Sequence, residues 1–112
     1  MGRLTTHVLD TSNGRPAAGL RLTLYRVEGE RSVAVIECTT NADGRCDAPL
    51  LEGGALEAGV FEIVFQVGAY FGGTGHAFLN EVPVRFGIDE PSQHYHVPLL
   101  VSAFGYTTYR GS

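Results

Sequence analysis

No lysine occurs in this chain: all eight basic residues are arginines, and no stretch gathers them into a basic stripe. With twelve acidic residues and a formal net charge of −4, that distribution argues against a nucleic-acid partner. No apolar run approaches the roughly 20 residues that span a bilayer. The opening Met1-Gly2-Arg3-Leu4 enters polar, strand-like sequence at once. No membrane partner, no secretory leader and a cytoplasmic location are therefore the expectation. Cysteine is scarce. Cys38 and Cys46 are the only two, one on each side of a turn. A disulfide across that turn is one reading, but a cytosolic chain keeps its thiols reduced, and reduced thiols are expected. Long helical periodicity is also missing.

What the chain does have is alternation. At 112 residues, 44% hydrophobic and 18% charged, it has the composition of one globular domain spanning residues 1–112. Leu20, Leu22 and Leu24 alternate with Arg21, Thr23 and Tyr25, and Phe61, Ile63, Phe65 and Val67 with Val60, Glu62, Val64 and Gln66. Val82, Val84, Phe86 and Ile88 repeat the pattern, as do Tyr95, Val97, Leu99 and Val101. With an opening strand near residues 4–10, a β-branched run at 32–40 and a last strand near 104–110, seven or eight strands are counted between Gly- and Pro-rich turns. The fold class this predicts is all-β, a two-sheet sandwich. Gly68 to Gly75 reads as a surface loop in which Ala69-Tyr70-Phe71 has the makings of one helical turn.

Strand facing points to a covered surface. If Tyr95, Val97, Leu99 and Val101 face the core, His94 and His96 face away, beside Pro98 and Leu100 rather than a solvated set. If Leu4 and Val8 face inward, His7 lies opposite with Thr5 and Leu9. Such a mixture of imidazole and aliphatic groups suggests a subunit interface with polar groups inside it. Pro98 conflicts with a regular strand, since it removes a ladder donor and favours an edge or a bulge.

These histidines admit two chemistries. His7, His94 and His96 have the spacing for a three-histidine zinc site, although no acidic or thiolate ligand stands nearby. Alternatively, a metal-free hydrolase needs an imidazole base near working pH and a guanidinium for the oxyanion and the substrate's charge. Arg45, just after the Asp43-Gly44 turn, fits that second need; equally, it fits a solvated turn arginine. Tyr109-Arg110-Gly111-Ser112 adds a phenol, a guanidinium, a flexible Gly and a hydroxyl, groups suited to gripping a small polar ligand if held in a pocket. His76 reads as a loop residue, Glu52, Glu57 and Glu62 form no dyad, and no nucleophile elbow or phosphate cradle is present.

Three blocks carry a family likeness. Leu4-Thr5-Thr6-His7-Val8-Leu9-Asp10-Thr11 with Gly14-Arg15-Pro16-Ala17 resembles the start of the transthyretin-like proteins. Thr40-Asn41-Ala42-Asp43-Gly44-Arg45-Cys46 is similar to their second block. His94-Tyr95-His96-Val97-Pro98-Leu99-Leu100 and Gly105-Tyr106-Thr107-Thr108-Tyr109-Arg110-Gly111-Ser112 resemble the third. Within that group the match is to the 5-hydroxyisourate hydrolases, because the hormone carrier lacks the final tetrapeptide. A transthyretin-type small-molecule or hormone binder without catalysis is the alternative. The resemblance implies an eight-stranded sandwich with one short helix, assembled as a homotetramer, a dimer of dimers with active sites between the dimers. It also implies hydrolysis of a purine-derived small molecule, 5-hydroxyisourate, with no cofactor and no metal. His7, Arg45, His96 and Ser112 would carry catalysis, and His7, Arg45, Tyr109, Arg110 and Gly111 would bind substrate. Water is expected to attack, in preference to Ser112. Gly68 to Glu81 matches the family poorly, and Ala103 stands where proline is common.

Overall fold

Side chains that alternate along a strand leave one face to bury, and burial here follows that alternation. The structure, a computed structural model, describes residues 1–112. Its strands are β1 (Arg3–Asp10), β2 (Arg15–Pro16), β3 (Arg21–Glu28), β4 (Arg31–Thr39), β5 (Leu51–Glu52), β6 (Gly59–Phe65), β7 (Val82–Ile88), β8 (Tyr95–Val101) and β9 (Tyr106–Thr108). A 3-10 turn at Gly53–Ala55 and one helix, α1 (Val67–Phe71), complete it. One sheet runs β2-β1-β8-β9 with β5 also on β1; the other runs β4-β3-β6-β7. Between them Leu4, Val8, Leu22, Leu24, Phe61, Ile63, Phe65 and Leu99 are sealed from solvent. Each such side chain contributes roughly 1.5–3 kcal/mol relative to exposure. The result is the expected two-sheet sandwich with one short helix.

β1 and β8 pair in parallel, whereas every other pairing is antiparallel. Their register sets Thr5 beside His96 and His7 beside Pro98. The inward and outward faces are those the alternation predicts: Leu4 and Val8 are buried while Thr5 and His7 are half-exposed. Two buried polar residues interrupt the apolar face. Thr6 donates to the Val97 carbonyl (2.7 Å). Asp10 accepts from the Asn13 backbone and side-chain amides (3.0 and 2.7 Å) and from the Tyr70 hydroxyl (2.7 Å). Burial pushes the Asp10 carboxyl up, but those hydrogen bonds outweigh it and hold the group below its ordinary 3.8.

Three expectations change. The segment read as a loop from Gly68 starts instead as α1 at Val67, because Val67 is fully buried and Tyr70 anchors the turn to Asp10. Pro98 is neither on an edge strand nor at an end. It sits in β8 with neighbours on both sides, and the β8–β9 ladder stops at the next residue, Leu99 paired with Thr108. Lacking an N–H, Pro98 still offers its carbonyl, which accepts from Thr108 Oγ1 (2.8 Å).

The thiols are the third. Cys38 and Cys46 form a disulfide, with Cα atoms 6.2 Å apart, which joins the end of β4 to the residue after Arg45. For cysteines eight residues apart, loop-closure entropy makes such a link worth about 2–3 kcal/mol. Thiol titration without reductant should find no free cysteine. The double substitution Cys38→Ser with Cys46→Ser should lower the unfolding free energy by about that 2–3 kcal/mol in denaturant melts. An unchanged midpoint would show that the link adds nothing to stability.

Candidate active site

Arg45 is positioned by a turn with little freedom. Asn41 Oδ1 accepts from the backbone amides of Asp43 (2.9 Å) and Arg45 (3.1 Å), and the Asn41 amide donates to the Arg45 carbonyl (2.8 Å). Gly44 has φ 76°, in the left-handed region, and a Cβ there would run into the Val8 carbonyl. The Gly44 carbonyl in turn accepts from the Val8 amide (2.8 Å), and His7 and Arg45 form an antiparallel bridge. The turn is thereby stitched to β1, and the guanidinium, though exposed, lines a cleft of about 470 Å³.

His96 and Ser112 line the same cleft, with Thr5, His94, Arg3 and Asp47. Thr5 Oγ1 lies 2.8 Å from His96 Nδ1. Burial, then the positive charge of Arg45, then His7, push the His96 pKa below its ordinary 6.5; a hydrogen bond to the Thr5 backbone opposes them in part. The ring is accordingly neutral at pH 7. His7 stands next to Arg45 on β1, and its Nε2 is 2.9 Å from the Asp43 carbonyl. A carbonyl only accepts, so the proton of neutral His7 is on Nε2 and its lone pair on Nδ1.

The tail divides. The Gly111 amide donates to the His96 carbonyl (2.7 Å), returning the chain to β8 beyond the gap at Pro98. Gly111 has no positive φ; a Cβ there would lie 2.6 Å from His96 Cδ2. Close approach to the imidazole, rather than flexibility, is why glycine fits. Arg110 leaves the cleft: its guanidinium stacks 4.2 Å from the Tyr95 ring centroid and donates to Gln93 Oε1 (3.0 Å) and the His94 carbonyl (3.1 Å). Tyr109 is exposed and, with Arg110, borders a separate groove against β7. Within one protomer, then, Arg45, His96 and Ser112 share a cleft with His7 alongside, and Tyr109 and Arg110 do not join them. His7, His94 and His96 do not gather into a metal-binding set. Thr5 and the Asp43 carbonyl went unmarked in the sequence, because only the strand pairing brings them to the imidazoles.

Known proteins resemble the chain over almost its whole length. The family model described as HIUase/Transthyretin family matches residues 4–111. A protein of Mesorhizobium japonicum named 5-hydroxyisourate hydrolase is 56% identical, the alignment covering 99% of this chain and 93% of that one. Among solved structures, Klebsiella pneumoniae 5-hydroxyisourate hydrolase is similar with a TM-score of 0.83 and 36% identity over 100% of both chains. An (S)-allantoin synthase structure matches with a TM-score of 0.92 and 48% identity over 99% of this chain, which spans only 44% of that longer one.

The electrostatics predict a titration. Followed by NMR, the His96 imidazole should protonate below 6.5. Because the unfolded chain binds that proton more readily, this group withdraws stability as pH falls below 6.5 and is without effect well above it. In Arg45→Ala the His96 midpoint should move back up; a midpoint that stays put would mean the guanidinium does not act on the ring.

Proposed function

We infer the function from one premise: the chain belongs to the HIUase/transthyretin family. It is a hydrolase that opens the six-membered ring of 5-hydroxyisourate to give 2-oxo-4-hydroxy-4-carboxy-5-ureidoimidazoline. The observation that carries the reading at the level of residues is the single cleft shared by a neutral imidazole and a guanidinium, His96 and Arg45. A carrier of apolar ligands needs a largely apolar pocket. This cleft has only two hydrophobic residues among the eleven that line it, which disfavours the hormone-binding alternative.

In the mechanism we propose, water attacks the C6 carbonyl and gives its proton to an imidazole. The negative charge that develops on the carbonyl oxygen is met by the Arg45 guanidinium, whose fixed fork of N–H donors suits an oxyanion. Collapse of the tetrahedral intermediate breaks the N1–C6 bond, and the imidazolium returns the proton to the departing nitrogen. His7 and His96 polarise and deprotonate the water between them. Ser112, at the cleft, hydrogen-bonds the ring or the water, and Gly111 sets the His96 ring in place. Tyr109 and Arg110 border the groove against β7, so any contact of theirs with substrate comes from an assembled oligomer. General acid–base action of this kind is worth about 10²–10⁴-fold and an oxyanion donor about 10²–10³-fold.

The oligomer belongs to the same proposal. Each sheet has an edge strand paired on one side only, β7 in one and β9 in the other. Pairing of both edges with a second copy would extend both sheets and remove two exposed ladders. Two such dimers meeting over the outer face of β1 and β8 would cover the cleft. A cytoplasmic location is retained in this reading, with the Cys38–Cys46 bond as its opposing observation.

Two measurements test these points. Added to freshly generated 5-hydroxyisourate, the protein should speed its ultraviolet decay well above buffer, and His7→Ala, Arg45→Ala and His96→Ala should each lower turnover about 10²-fold or more. Turnover at the buffer rate would remove the hydrolase; wild-type rates in all three variants would remove the residue roles alone. Light scattering should give four times the 12.0 kDa chain mass; a monomer would overturn the assembly.

A further inference from the structure

The Thr5 hydroxyl touches His96 and has no other protein partner. Thr5 stands on β1 directly beside His96 in the parallel register, so its outward side chain and the imidazole rise from the same face of the sheet. The 2.8 Å separation runs from Oγ1 to Nδ1, which leaves Nε2 as the ring's remaining polar atom in a cleft that both residues line. We propose that Thr5 is a positioning residue for the reaction: it accepts the Nδ1 proton of His96 and so leaves a lone pair on Nε2 to serve as the base. This rests on the hydrolase reading above.

A hydroxyl either donates or accepts; in this proposal the Thr5 hydroxyl is the acceptor, which puts the ring's proton on Nδ1. The opposite arrangement, with the hydroxyl donating to Nδ1, would put the proton on Nε2 and remove the lone pair that water needs. On the other side of the ring Gly111 approaches so closely that any Cβ would displace it. Thr5 fixes the tautomer and Gly111 the position. His7 differs: its proton is committed to the Asp43 carbonyl, so its free lone pair is on Nδ1. The two imidazoles thereby offer different atoms.

Thr5→Val keeps the shape and β-branching of the side chain and deletes the hydroxyl; Thr5→Ser keeps the hydroxyl. Long-range proton–nitrogen NMR on the full-length wild type should show His96 with Nδ1 protonated and Nε2 bare. Thr5→Val should lose that single pattern and Thr5→Ser restore it. In steady-state kinetics Thr5→Val should lower kcat roughly 10–100-fold, less than loss of the base itself, with KM within about twofold because ground-state binding is untouched. Thr5→Ser should recover most of kcat, which a general packing defect would not allow. A wild-type His96 protonated on Nε2, or a Thr5→Val enzyme with wild-type kcat, would overturn the assignment. If the wild type fails to hydrolyse 5-hydroxyisourate, the functional reading falls, while the NMR comparison still decides the Thr5–His96 tautomer.

Discussion

The parallel pairing of β1 with β8 is the constraint on which the cleft depends. It joins residues 91 positions apart, as the Thr5–His96 and Thr6–Val97 hydrogen bonds record. The side-chain period is two. A slip of one residue would therefore turn His7 and Thr5 toward the core and Leu4 and Val8 toward solvent. The register is thus pinned by apolar burial: Leu4, Val8 and Leu99, none of which touches the chemistry, are sealed between the sheets. Thr6 adds a buried hydrogen bond that would be orphaned by the same slip. The packing side of the strand pair locates the reacting side.

Pro98 and Gly111 then shape the end of the chain. A tail paired continuously along β8 would lie flat on the sheet edge. Pro98 cannot donate to such a ladder, and regular pairing ends at Leu99 with Thr108. The chain rejoins β8 only where Gly111 bonds the His96 carbonyl. Between these two points Arg110 turns back to stack on Tyr95. That contact acts as a latch, holding the chain on both sides of the imidazole without occupying the cleft. Strand irregularity here does structural work: it frees the residues around position 110 to point elsewhere and still returns Gly111 and Ser112 to His96.

Much of this was legible because it is local. Alternation assigned the faces of β1 and β8 with no knowledge of what they pair with, and it put His7 and His96 on the outer side. The Asp43-Gly44 turn marked where a side chain could be presented, and the fold stitches that turn to β1. What stayed hidden required pairing or context. Thr5 looks like any strand threonine until the parallel register sets it against His96. Arg110, Gly111 and Tyr109 form a polar tetrapeptide with Ser112 in one dimension, but a guanidinium finds an aromatic face nearby more readily than the cleft. The disulfide departs from the reduced thiols that a cytosolic compartment favours, because two cysteines flanking a turn are well placed to meet, and they do. Alternation makes Val67 the last inward position of a strand; it is buried, but it begins a helix.

The placement of Arg45 beside His96 has a consequence for catalysis. Burial first, and then repulsion by the Arg45 charge, hold the imidazole unprotonated, the state that the proposed mechanism asks of a base. The same charge makes the imidazole a weaker base, which on its own would slow proton removal from water. An anion bound to Arg45 relieves that conflict. It offsets the guanidinium's charge, and the proton affinity of His96 rises at the moment a water has to be deprotonated. Lysine would not serve as well, since its single ammonium lacks the fork of donors that suits an oxyanion. In the proposed mechanism the arginine would therefore act twice, first by adding to burial in keeping His96 neutral and then by losing that influence to a bound anion.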